Sequence, residues 1–66
     1  MEYHFEIVYK TGETEKGYTV AADWCEAIHN IIVPEEVSDV FCVNFEYTVT
    51  HTAHLENEDV VNLMGR

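Results

Sequence analysis

The chain reads as a small α+β domain of β-β-α-β order, a three-stranded mixed sheet under one covering helix. Three patterns predict this: two-residue alternation from Tyr3 to Tyr9, a switch to helical spacing at Asp23, and strict alternation again from Phe41 to Val49. With 66 residues, 1-66 is a single domain.

In the first strand Tyr3, Phe5, Ile7 and Tyr9 share one side, and His4, Glu6, Val8 and Lys10 the other. Thr11-Gly12-Glu13 is a turn signal, and Tyr18 and Val20 are expected to resume the alternation after Gly17, so the first 20 residues form a β-hairpin. Asp23 can cap a helix and Glu26 stands three residues later, while Trp24, Ala27, Ile28 and Ile31 fall on one helical stripe. This predicts a helix over 23–33, stopped by Pro34, with Pro34-Glu35-Glu36-Val37 as a short extra turn. Phe41, Val43, Phe45, Tyr47 and Val49 then alternate with Cys42, Asn44, Glu46, Thr48 and Thr50. Near the end Asn57 can cap a short helix through Val60, Val61, Leu63 and Met64, with Gly65 as its stop; a strand is the alternative for this tail.

A right-handed crossover through the helix places the third strand parallel to one of the first two, most simply the first, in sheet order 2-1-3 with the helix on the aromatic face. The third strand is then an edge, and from Val40 to Thr52 it has neither Lys nor Pro to keep it from pairing with another chain. Either the tail covers it or a partner does, and the small core adds a second reason to keep a homodimer open.

The charge balance narrows the function. Thirteen Asp and Glu stand against three Lys and Arg, a net charge of -10, so direct binding of nucleic acid or of an anionic membrane is not expected, and a basic protein surface is the natural partner. A hydrophobic content of 47% argues against a disordered acidic tail. The N-terminus lacks a signal-peptide pattern and no stretch nears the ~20 apolar residues of a membrane span, so a soluble, unsecreted protein with free thiols is expected. Carboxylates two apart on extended chain, such as Glu13 with Glu15 or Glu56 with Glu58, lie roughly 6–7 Å apart, of the order of a phosphate repeat. Such a surface can stand in for a nucleic-acid backbone.

Little else in the chain suggests chemistry. No elbow, phosphate loop or catalytic constellation surrounds the cysteines and histidines, so no enzyme activity and no cofactor are expected. Cys25 with His29, the pair His51 and His54, and Cys42 raise the question of zinc. Their spacing matches no ribbon or finger, and buried thiols with surface imidazoles are the expectation, with no metal. The aromatic set Tyr3, Phe5, Tyr9, Tyr18, Trp24, Phe41, Phe45 and Tyr47 reads as core rather than as a base-stacking platform, because such platforms sit in basic grooves; Trp24, at the first helical turn, is the exception, part core and part contact.

From Glu26 onward the residues resemble the small phage-encoded uracil-DNA glycosylase inhibitors. Glu26-Ala27-Ile28 followed by Pro34-Glu35-Glu36-Val37-Ser38-Asp39-Val40 is similar to their acid-small-Ile segment and the helix after it. His51-Thr52-Ala53 resembles a strand of that family, and Glu58-Asp59-Val60-Val61-Asn62-Leu63-Met64 its next strand. Ala27 stands where a small polar residue is usual, and the spacing from Glu26 to Pro34 is longer. The resemblance implies a DNA mimic that blocks the DNA-binding cleft of a host uracil-DNA glycosylase, in the cytoplasm of a bacterial host. Glu26, with Asp23 beside it, takes the phosphate-like role. Val37, Val40, Val60, Leu63 and Met64 line a pocket for the enzyme's protruding leucine, with Trp24 or Ile28 at its rim, although all seven apolar residues also suit an ordinary core. A second, shorter type of inhibitor, a homodimer, shares the hairpin, helix and strand order, and its acid-aromatic pair at the helix start resembles Asp23-Trp24. The same order also looks like small phage inhibitors of bacterial RNA polymerase, the alternative target.

Overall fold

The computed structural model describes residues 1–65. It is an α+β fold with four strands: β1 (Glu2–Tyr9), β2 (Thr14–Val20), β3 (Val40–Thr48) and β4 (His51–Glu56). Helix α1 (Trp24–Ile31) follows β2, a 3-10 turn (Pro34–Asp39) leads into β3, and helix α2 (Asn57–Met64) follows β4. The sheet order is β2-β1-β3-β4, and every neighbouring pair is antiparallel.

Two expectations are corrected here. The third strand is not an edge, and it runs antiparallel to β1. It turns at Val49 and Thr50 and comes back as β4, which covers its outer side. Since β2 and β3 are both antiparallel to β1, they run parallel to each other with β1 between them. The crossover through α1 therefore does link parallel strands, but it spans one strand to do so. The mixed three-stranded sheet becomes a four-stranded antiparallel one.

β1 keeps the expected alternation, with Tyr3 and Ile7 buried on the helix side. Gly12 closes the hairpin with a φ of +95°, in the left-handed region that favours glycine, and its N–H donates to the Tyr9 carbonyl at 2.9 Å. The phase of β2 differs from the expectation. Register pairs Phe5 with Gly17 and His4 with Tyr18, so Tyr18 and Val20 lie on the outer face, each 65% exposed. The Phe5 ring fills the space over Gly17, where a Cβ would stand only 2.9 Å from its Cζ.

Asp23 caps α1 as expected, its Oδ1 accepting the Glu26 N–H at 2.8 Å. The helix presents Ala27 and Ile28 to the core and ends before Ile32, two residues short of the expected boundary. The core is Tyr3, Ile7, Ile28, Ile32, Val40, Val43, Phe45, Leu55 and Val60 with the small Ala21 and Ala27. Tyr3 and Phe45 meet edge to face at 5.5 Å. No polar or charged residue among those described is buried.

The tail is a helix, not the strand implied by the resemblance. The Glu56 N–H donates to Asp59 Oδ2 at 3.0 Å, closing the first turn of α2. Asn57 ties this helix to the rest: its Nδ2 donates to the Val37 and Val40 carbonyls at 2.9 and 2.8 Å. Replacing Asn57 with Ala strands two partly buried carbonyls, and we expect a loss of roughly 1–3 kcal/mol, read as a lower midpoint in urea at unchanged slope.

Candidate binding surface

The residues singled out from sequence separate into two groups. Asp23, Trp24 and Glu26 are exposed at the start of α1. Ile28, Val40 and Val60 are core, each with 0% of its surface exposed, and Val37, Leu63 and Met64 are packed against that core. The apolar residues do come together, but they fill the space between them. Ile28, Val40 and Val60 thus leave no exposed side-chain surface, while Val37, Leu63 and Met64 are partly buried beside them.

The carboxylates have a more definite arrangement. Among the described residues only three of the thirteen lie within ion-pair distance of a basic side chain: Glu6 of Lys16, and Glu2 and Glu56 of the imidazoles of His4 and His54. The other ten are Glu13, Glu15, Asp23, Glu26, Glu35, Glu36, Asp39, Glu46, Glu58 and Asp59. Segments far apart in sequence bring several of these to one end of the sheet. Tyr9 marks that end: its phenol is pushed above the usual range first by burial, then by Glu15, Glu36 and Glu13. The hairpin and the 3-10 turn thus share one electrostatic neighbourhood. A backbone bond from the Lys10 N–H to the Asp39 carbonyl at 2.8 Å joins them. The Asn57 side chain then places the first turn of α2, with Glu58 and Asp59, against the same 3-10 turn.

This acidic end also carries exposed apolar side chains. Phe41, next to Val40 at the start of β3, is 61% exposed, and Val33 and Val61 stand out from the chain before the 3-10 turn and from α2. Phe41 was expected in the core. The irregularity between Val8 and Tyr9 pairs Tyr9 with Val40, and Val40 rather than Phe41 is the residue buried there. Exposed apolar side chains thus stand beside carboxylates that have no ion-pair partner among the described residues. Asp23 and Glu26 lie at the opposite end of the sheet, where Asp23 raises the pKa of the buried Tyr3 after desolvation.

The face of the sheet away from the helices has a different character. A polar row crosses all four strands in register: Lys16, Glu6, Asn44 and His54. It lines a shallow concavity of about 420 Å³. The pair His51 and His54 does not form a metal site, because His51 bonds Thr48 and Thr50 and lies against Tyr47, whereas His54 bonds Asn44 in the polar row. No group of three His, Cys, Asp or Glu among the described residues is placed to hold a metal ion.

Cys42 is buried on this face, and burial first, then Glu6 and Glu56, push its thiol above the usual 9.0. Tyr3 and Tyr9 are raised from 10.0 in the same sense. All three are held neutral by the fold. Their contribution to stability is complete below pH about 9 and is lost as pH rises through the raised folded values. A pH titration of the thermal midpoint should therefore fall above pH about 9, and Cys42 should resist iodoacetamide until the chain unfolds.

Compared with protein-family models, curated proteins and solved structures, the chain shows no match. No helix among the described residues is long and apolar enough to cross a membrane.

Proposed function

We propose that this chain is an acidic, non-catalytic binding protein that occupies a basic DNA-binding cleft of a host protein in place of the nucleic acid, and that its target is a bacterial uracil-DNA glycosylase. The observation that supports it is the acidic end: Glu13, Glu15, Glu35, Glu36, Asp39, Glu58 and Asp59 gathered from three segments, with no ion-pair partner among the described residues and with Phe41 exposed beside them. Gathering so many like charges costs stability, and a basic partner offsets that cost on binding. The choice of glycosylase rests on the resemblance of the Glu26–Val40 and His51–Met64 segments. Work in the cytoplasm of an infected bacterium is part of the same reading.

In this version of the mimic the anchor is an exposed side chain, Phe41, rather than a pocket. The test is inhibition of a bacterial uracil-DNA glycosylase by the purified protein. Stoichiometric loss of uracil release with a complex stable to gel filtration is the expected outcome. Full activity at a large molar excess would reject the glycosylase as target, and bacterial RNA polymerase would be assayed next.

A further inference from the structure

We propose that His54 and Glu56 form half of a zinc site, completed by the same two residues of a second copy across the free edge of β4. The argument begins with the polar row. Glu6 is a carboxylate and can only accept, so the Asn44 Nδ2 that lies 3.4 Å from its Oε1 is the donor, and Asn44 Oδ1 faces His54. That oxygen can only accept, and it lies 2.6 Å from His54 Nδ1. His54 therefore donates from Nδ1, and in the neutral ring the Nε2 lone pair faces outward. A ring nitrogen bonded to an amide oxygen while the other faces solvent is the arrangement of a metal-bound histidine with its outer partner in place.

Glu56, two residues on along β4, is on the same face, and its Oε1 lies 3.9 Å from His54 Nε2. Ligands at about 2.0–2.1 Å from a tetrahedral zinc ion stand roughly 3.3 Å apart, so the pair needs to close by only about half an ångström. Both side chains have the freedom to do so, at 55% and 75% exposure. Two ligands do not make a site, and no third metal-binding side chain in the same chain is placed to join them among the described residues.

The missing ligands are supplied by symmetry. β4 is an edge of the sheet, and His51–Glu56 contains neither Lys nor Pro. A two-fold axis that sets Leu55 against its own copy in an antiparallel pair puts His54 of each chain opposite Glu56 of the other, on the open face. Two imidazoles and two carboxylates then converge on one ion, a donor set that suits zinc. The ion also answers the electrostatic objection to pairing two chains of net charge -10: its two positive charges lie where the two acidic chains meet. This seam uses β4 and the open face, next to the start of α2. The inference does not depend on the function proposed above.

The test is native mass spectrometry and light scattering on the full chain, with EDTA and with added zinc chloride. A monomer in EDTA, and with zinc a dimer holding one ion per two chains, is the expected result. His54→Ala and Glu56→Gln should each abolish the zinc-induced dimer with the circular dichroism spectrum retained; glutamine keeps a side-chain oxygen that can accept from the Asp59 N–H, and the Glu56 N–H still donates to Asp59, so α2 keeps its start. Asn44→Ala should raise the zinc needed by roughly 10–100-fold, and His51→Ala should change nothing. Zinc bound by the monomer without association, a dimer indifferent to EDTA, or a zinc-induced dimer that survives His54→Ala would each overturn the proposal.

Discussion

Replacing Phe45 with alanine should leave the chain mostly unfolded at 25 °C. Phe45 is among the largest fully buried side chains; it sits on β3 between β1 and β4 and packs edge to face on Tyr3. Removing a buried phenylalanine costs about 3–5 kcal/mol, transfer and cavity together. A domain of this size holds only roughly 3–5 kcal/mol in total, so the loss is comparable to all the stability available. Far-UV circular dichroism at 25 °C would show the collapse. Phe41→Ala is the internal control: the same side chain is removed four positions away, but from an exposed site, and stability should change by no more than about 0.5 kcal/mol. A Phe45→Ala chain that still melts cooperatively within a few degrees of the parent would mean that the core is not where it is described.

Neutralising Glu35, Glu36, Asp39 and Glu58 together, as Gln, Gln, Asn and Gln, should weaken binding to a basic partner by roughly a hundredfold, mostly through a slower association rate. None of the four carboxylates makes an ion pair among the described residues; Glu35, Glu36 and Glu58 stand in first turns, where each loss is about 0.3–1 kcal/mol, and Asp39, at the end of the 3-10 turn, has no such interaction to lose. The salt dependence should flatten in parallel, because the steering charges are gone. Asp23→Asn with Glu26→Gln removes charge from the other end of the sheet and should have the smaller effect. If that pair dominates instead, the phosphate-like role belongs to the start of α1, as the resemblance implies, and not to the acidic end. Phe41→Ala should add its own loss through faster dissociation, as expected of an aromatic anchor.

Much of the fold was legible in the residues, for physical reasons that can be named. Tyr3, Ile7, Val43 and Phe45 alternate because each strand has one wet face, and Asp23 with Glu26 marked the start of α1 because a helix N-terminus needs an acceptor. The reversal at Val49 and Thr50 was not legible: neither residue is a turn former, and Thr48-Val49-Thr50 is a β-branched run, so the strand read on without a break. That miss accounts for the expected edge and the missing fourth strand. A single long strand has to be an edge, whereas a hairpin supplies its own cover and sets a fourth strand in the sheet.

The phase of β2 was hidden because a glycine carries no hydrophobic signal. Gly17 occupies an inward position, under Phe5, while Tyr18 and Val20 point out. The acidic end could not be read from spacing either. Carboxylate pairs two residues apart pointed to local ladders, but Glu13, Glu36 and Glu58 lie on three segments joined only by tertiary contacts such as Asn57 to Val37. The apolar residues assigned to a leucine pocket show the opposite case. Val40 and Val60, from separate segments, belong to one buried core cluster.

The most direct test is whether this protein and DNA compete for the same cleft. A fluorescent uracil-containing duplex bound to a catalytically inert uracil-DNA glycosylase reports this through its anisotropy as the protein is added. The account predicts a fall to the value of free DNA at about one equivalent, with displacement weakening as salt rises. Anisotropy that stays at the bound value at large excess, or a ternary complex in which the enzyme holds both, would contradict it.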